Sequence, residues 1–249
     1  MVIFSNYFVK RGSMKRLKNL LAYFSLREKL IWLFSVSLIT VTFFVFSNDG
    51  YLSFIASLIG ATSLIFCAKG NFIGQILMII FSTMYAVISY TYSYYGELMT
   101  YAFMTAPMAV VALISWIRNP SGNKRAEVRV NKINGWEIPL VITLSALLTL
   151  IFYFVLKTLG TSNLLISTVS ITTSFIAVYL TFRRSPYFAL AYALNDVVLI
   201  VLWVLASISN ISYVSVVACF AAFLVNDLYS FTNWRRMERR QRRELENKE

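Results

Sequence analysis

The stretch Pro139–Lys157, PLVITLSALLTLIFYFVLK, carries no charge before its final lysine. A helix needs about 20 mainly apolar residues to cross the hydrocarbon of a bilayer, and this segment supplies them with no ionised group to desolvate. Seven further segments read the same way: Leu30–Phe46, Tyr51–Ala68, Phe72–Tyr92, Leu98–Ile117, Asn163–Phe182, Tyr187–Ala206 and Ile211–Trp234. None has the alternating pattern of an outer-membrane strand. The first resembles a signal-peptide core in length, but no small-residue cleavage site follows it, so a retained helix is expected. Together these segments predict an all-α membrane protein with eight spans.

Composition points the same way. Of 249 residues, 58% are hydrophobic and 14% charged, against about 25% charged in an ordinary soluble domain. Mean hydropathy is +0.67. Lysine and arginine outnumber the acids 23 to 11, a net charge of +12. Every basic residue except Lys157 lies before the first span, after the last, or in the segments that hold Lys69, Arg118–Lys132 and Arg183–Arg184. With a cytoplasmic start these are the inner segments, while Asp49 and Glu97 fall in outer turns. The positive-inside rule then predicts both termini in the cytoplasm, in a bacterial inner membrane. The surplus of positive charge therefore encodes orientation, and no nucleic-acid partner is expected. Lys15–Leu30 places Leu17, Leu20, Leu21 and Phe24 on one face, as in an amphipathic helix on anionic lipid. Arg235–Glu249 reads as a charged extension.

Several chemistries are excluded. With no histidine there is no imidazole acid–base catalyst and none of the usual zinc, di-iron or haem ligands. No G-x-x-x-x-G-K-[ST] loop is present to hold ATP. Cys67 and Cys219 lie in apolar runs and read as packing residues. No metal or cofactor is expected, so function must rest on polar groups within the bilayer.

The second half echoes the first at about 118 residues: Tyr85 with Trp203, Ser89 with Ser207, Tyr95 with Tyr213, Trp116 with Trp234. Spans two to four then match spans six to eight, with span five as an inverting linker. This predicts a 3+1+3 helix bundle of parallel three-helix repeats, a SWEET-like layout, with span one as an extra. The chain divides into a basic N-terminus (1–29), the extra helix (30–50), a first repeat (51–117), a basic loop and linker helix (118–160), a second repeat (161–234) and a tail (235–249). Parallel repeats about the membrane normal are a transporter architecture with a midplane site.

Only Asp196 and Asp227 are charged well inside a span, and asparagine precedes each. A carboxylate at the bilayer centre costs about 2.5–3.5 kcal/mol on insertion scales, so both should face a cavity or a partner. Tyr192 and Trp203 share the Asp196 face. Asn226, Tyr229, Ser230 and Asn233 form a stripe at i, i+3, i+4, i+7, and Gln75, Ser82 and Ser89 recur every seven residues beside Tyr85. Hydrogen bonds that join helices explain the serines. The Asn-Asp pairs with nearby aromatics suit a flat, polar, cationic ring. Gly70 and Gly74 form a short G-x-x-x-G, read as close packing.

Tyr85–Tyr90 (YAVISY), Tyr95-Gly96-Glu97, Pro107-Met108, Trp116 ahead of a basic loop, Asp196, Asn226-x-x-Tyr229 and Asn233-Trp234 resemble the PnuC-type vitamin transporters in order and spacing. The resemblance spans about Tyr51–Trp234. Ala109 stands where many members have glutamine, and Ala189 and Tyr192 where members have tryptophan. The resemblance implies a carrier of nicotinamide riboside rather than an enzyme, working by facilitated diffusion and alternating access with trapping by a cytoplasmic kinase. The substrate-binding residues expected are Gln75, Tyr85, Asn195, Asp196, Trp203, Asn226, Asp227, Tyr229 and Asn233. Amides would bind the ribose hydroxyls and the carboxamide, aromatics would stack on the ring, and a carboxylate would offset its charge or hold helices in register. Two other readings stay open: a carrier of another flat vitamin such as thiamine, and an intramembrane aspartyl enzyme with Asp196 and Asp227 as a dyad, although no G-x-G-D element is present. A retinal protein lacks its deep lysine. A homo-oligomer is left open.

Overall fold

The computed structural model describes residues 22–46, 50–91, 95–122, 124–161 and 163–247. Among them are eight helical segments long and apolar enough to cross a bilayer. These are α1 (Leu26–Phe46), α2 (Tyr51–Ala68), α3 (Ile73–Thr91), a fourth segment of α4 (Tyr95–Thr100), a π turn (Tyr101–Thr105) and α5 (Ala106–Arg118), then α6 (Glu137–Thr158), α7 (Leu164–Phe182), α8 (Tyr187–Ser209) and α9 (Val214–Glu246). A short antiparallel hairpin, β1 (Pro120–Ser121) with β2 (Lys124–Val128), joins α5 to α6. Residues 15–21 of the proposed amphipathic segment lie outside the described residues.

Two helix ends differ most from the sequence reading, both where charge interrupts the apolar pattern. α1 begins at Leu26 and carries Glu28 into the bundle, where Lys69 Nζ pairs with it at 3.2 Å and the Tyr229 hydroxyl donates to it at 3.0 Å. α9 runs unbroken to Glu246. At 1.5 Å per residue its 33 residues reach about 50 Å, well beyond a hydrocarbon core of about 30 Å. Arg235–Glu238, Arg240–Glu244 and Arg242–Glu238 pairs support the projecting part.

The same contacts occur twice at the end of the bundle where the basic residues gather. Gly70 (φ +64°) ends the α2–α3 turn and Arg184 (φ +56°) the α7–α8 turn. Asn71 and Ser185 follow, and their side chains accept from the Ile73 and Tyr187 amides. The Trp116 indole N–H donates to the Thr181 carbonyl at 3.0 Å, and the Trp234 indole N–H to the Cys67 carbonyl at 2.8 Å. Each tryptophan thus caps the helix end of the opposite half. Glu137, at the start of α6, takes a bidentate pair from Arg183, as Glu28 takes Lys69. The hairpin strand continues across both turns: the Val128 amide donates to Gly70 and the Asn131 amide to Arg184. Gly70 and Arg184 are 114 residues apart, against 118 for Trp116 and Trp234, because α8, with 23 residues, is one turn longer than α3, with 19.

Small residues set the helix separations, as they must where lipid gives helices no hydrophobic reason to associate. A Cβ added at Gly74 would lie 2.5 Å from Cys67 Sγ and 2.7 Å from the Cys67 nitrogen, so α2 and α3 meet backbone to backbone. Both cysteines are free and buried. The two halves touch where α2 meets α9 and where α5 meets α7, and the space between these contacts holds the site.

Candidate functional site

A cavity of about 320 Å³ lies between the halves, within the range that small-ligand sites occupy. Gly96, Gly160, Thr161 and Asn163 form its rim at the end of the bundle away from the basic residues, and Leu64, Tyr192 and Asp227 lie deepest. Towards the basic end the path is blocked by Trp116, Trp234, Phe188, Cys67 and Met237, a buried cluster in which the two indoles lie 5.4 Å apart and Phe188 packs edge-on to Trp234 at 4.9 Å.

Three features shape the cavity. The π turn inserts an extra residue into the fourth span, a device that re-aims side chains, and Thr100, Tyr101 and Thr105 line the wall there. Phe81, Phe220 and Phe223 give an apolar face, with Phe81 and Tyr101 edge-to-face at 5.7 Å. Ser170, Ser174 and Asn195 give a polar face. The Asn195 Oδ1 accepts from Thr173 Oγ1 at 2.8 Å and Ser174 Oγ at 2.9 Å, which leaves its amide nitrogen as the donor it can offer a ligand.

The charges are all of one sign. Glu97, Asp196 and Asp227 line the cavity, and no lysine or arginine does so among the described residues. Asp196 and Asp227 lie beside each other and interact directly. Asp196 Oδ2 and Asp227 Oδ1 are buried without a hydrogen-bond partner among the described residues. Glu97 lies near the Trp203 indole in the cavity wall, and its Oε2 is likewise buried and unsatisfied among the described residues. The sequence reading put Glu97 in an outer turn. The fourth span instead begins at Tyr95, and Gly96 lets this first turn press against Leu156, whose Cδ2 lies 3.1 Å from where a Cβ would be.

Four of the nine residues singled out from sequence line this cavity: Asn195, Asp196, Trp203 and Asp227. The other five are placed elsewhere. Gln75 Nε2 reaches Cys67 Sγ at 3.5 Å between α3 and α2. Tyr85 packs on Phe81 and Tyr101 beside a separate void of about 20 Å³. Asn226 Nδ2 donates to Ser35 Oγ at 2.8 Å and to the Ala222 carbonyl, Tyr229 donates to Glu28, and Asn233 Nδ2 donates to the Ala68 carbonyl at 2.8 Å. The polar stripe on α9 is thus the seam with α1 and α2. Glu97, Tyr101, Ser170 and Ser174 were not singled out. A helix boundary hid the first and the π turn the second, while ordinary helical serines carry no signal that separates a cavity wall from a helix contact.

Residues 50–236 match the family model described as nicotinamide mononucleotide transporter. A nicotinamide riboside transporter of Neisseria mucosa, PnuC, is 26% identical over 215 residues, covering 84% of this chain and 81% of the relative. A crystal structure described as that of the vitamin B3 transporter PnuC superposes with a TM-score of 0.75 at 23% identity, covering 88% of this chain and 94% of the other.

Proposed function

The chain belongs to the nicotinamide mononucleotide transporter family, and from that premise we propose that its own substrate is the unphosphorylated nucleoside, nicotinamide riboside. Membership makes it a membrane transporter rather than an enzyme. The observation that carries the proposal is the charge of the cavity. Recognition of a phosphate dianion calls above all on arginine or lysine, whereas this cavity offers three carboxyl groups and no lysine or arginine among the described residues. The riboside is a flat monocation, and the mononucleotide adds two negative charges to it. The name of the Neisseria mucosa relative agrees.

In this reading Trp203 and Tyr101 stack on the pyridinium ring, and Asn195, Ser170 and Ser174 take the ribose and carboxamide. Asp196 and Asp227 hold α8 to α9 at the cavity floor. The five residues outside the cavity act through helix contacts. The halves 51–117 and 161–234 rock about the cavity in a 3+1+3 arrangement. The doubled tryptophan caps and turns support this, and the Glu28–Lys69 and Glu137–Arg183 pairs give α1 the place beside the first half that α6 has beside the second. The basic end, with both chain ends, is cytoplasmic in a bacterial inner membrane. Transport is facilitated diffusion with trapping by a kinase. The purified protein in calorimetry is expected to bind nicotinamide riboside at least tenfold more tightly than the mononucleotide. Equal binding, or tighter binding of the mononucleotide or of thiamine, would assign a different substrate.

A further inference from the structure

We infer that Glu97, rather than the aspartate pair, is the residue that selects for positive charge on the ligand, acting with the indole of Trp203. This rests on the reading of the cavity as a nucleoside site. Asp196 and Asp227 are engaged with each other across the α8–α9 contact, so the charge they carry is shared between two deep carboxyl groups. Glu97 has no acidic partner. Its carboxyl lies on the wall between the rim and Tyr101, which follows it by one helical turn, and its buried Oε2 meets no donor among the described residues.

Trp203 lines the same cavity and gives this carboxyl a second effect. A negative charge beside the edge of an indole pushes electron density towards the ring faces, which strengthens their attraction for a cation. Tyr213 packs against the same indole, centroids 5.3 Å apart and edge to face, and restricts its tilt. A pyridinium on the Trp203 face therefore meets an enriched π surface and a formal negative charge together. A neutral ring of the same shape gains only the stacking. The fold holds Glu97 in place by backbone contact, since Gly96 lies directly beneath Leu156 and Thr161.

The test compares nicotinamide riboside with its reduced dihydro form, which is nearly the same size but neutral, by calorimetry on the purified protein. Wild type is expected to prefer the cation by at least tenfold. Glu97→Gln keeps the shape but removes the charge. It is expected to weaken the cation about tenfold and to change the neutral form less than about twofold. Trp203→Phe, which keeps a ring but loses the N–H, is expected to narrow the same preference, and stands in if Glu97→Gln does not fold. Glu97→Asp is expected to keep it. Equal weakening of both ligands, or an unchanged ratio in Glu97→Gln, overturns the role of Glu97 while leaving the substrate intact. A wild type that binds neither ligand overturns the nucleoside reading, and this inference with it.

Discussion

Trp203→Ala is expected to lower riboside uptake about a hundredfold in a protein that still folds. The indole is a buried wall of the cavity and lies near Glu97. Its loss removes a desolvated cation–π contact of about 2 kcal/mol or more together with the stacking surface, and 1.4 kcal/mol corresponds to a factor of ten. Trp203→Phe should keep roughly a tenth of the activity or more, because a ring remains. Initial uptake rates in proteoliposomes measure both, with the melting temperature in detergent as the check on folding. An alanine variant with near-normal uptake would remove Trp203 from the site.

Trp234→Ala is expected to cost about 3–5 kcal/mol of stability, the range for deleting a fully packed large aromatic. Trp234 has no exposed surface and contacts Trp116 and Phe188. Trp234→Phe should retain most of the packing. It removes one of the two donors to the Cys67 carbonyl, which keeps the Gly70 amide, a loss of about 0.5–1.5 kcal/mol. Trp116→Ala should match Trp234→Ala in size, since Trp116 caps Thr181 in the same manner from the other half. The two rings touch, so the double variant should cost less than the two single losses together. Thermal melting in detergent reads all four. Little change in Trp234→Ala would mean that the reciprocal caps do not hold the halves together.

The spans were legible because bilayer length and hydropathy constrain a chain without reference to its partners. α2, α6 and α7 lie within two residues of the segments read from sequence. The site was legible where burial of charge had no other outlet, at Asp196 and Asp227, and where Asn195 and Trp203 share a helix with Asp196. The partners of the other polar residues on α9 were not legible. Helical periodicity shows that Asn226, Tyr229 and Asn233 share a face, but not that α1 and α2 lie against that face and use its donors. Glu97 was hidden by a few residues at a helix start, where polar residues blur the edge of an apolar run. The π turn at Tyr101–Thr105 leaves no mark in hydropathy. The spacing of 118 residues read from the tryptophans shortens to 114 at Gly70 and Arg184, because α8 has 23 residues where α3 has 19.

The most direct test of a cation-selective nucleoside carrier is uptake into liposomes that contain the purified protein, a nicotinamide riboside kinase and ATP, with no ion gradient imposed. Labelled nicotinamide riboside should accumulate inside as its phosphorylated product, and labelled mononucleotide supplied outside should not enter. Entry of the mononucleotide at a comparable rate, or no entry of the riboside, would contradict the account.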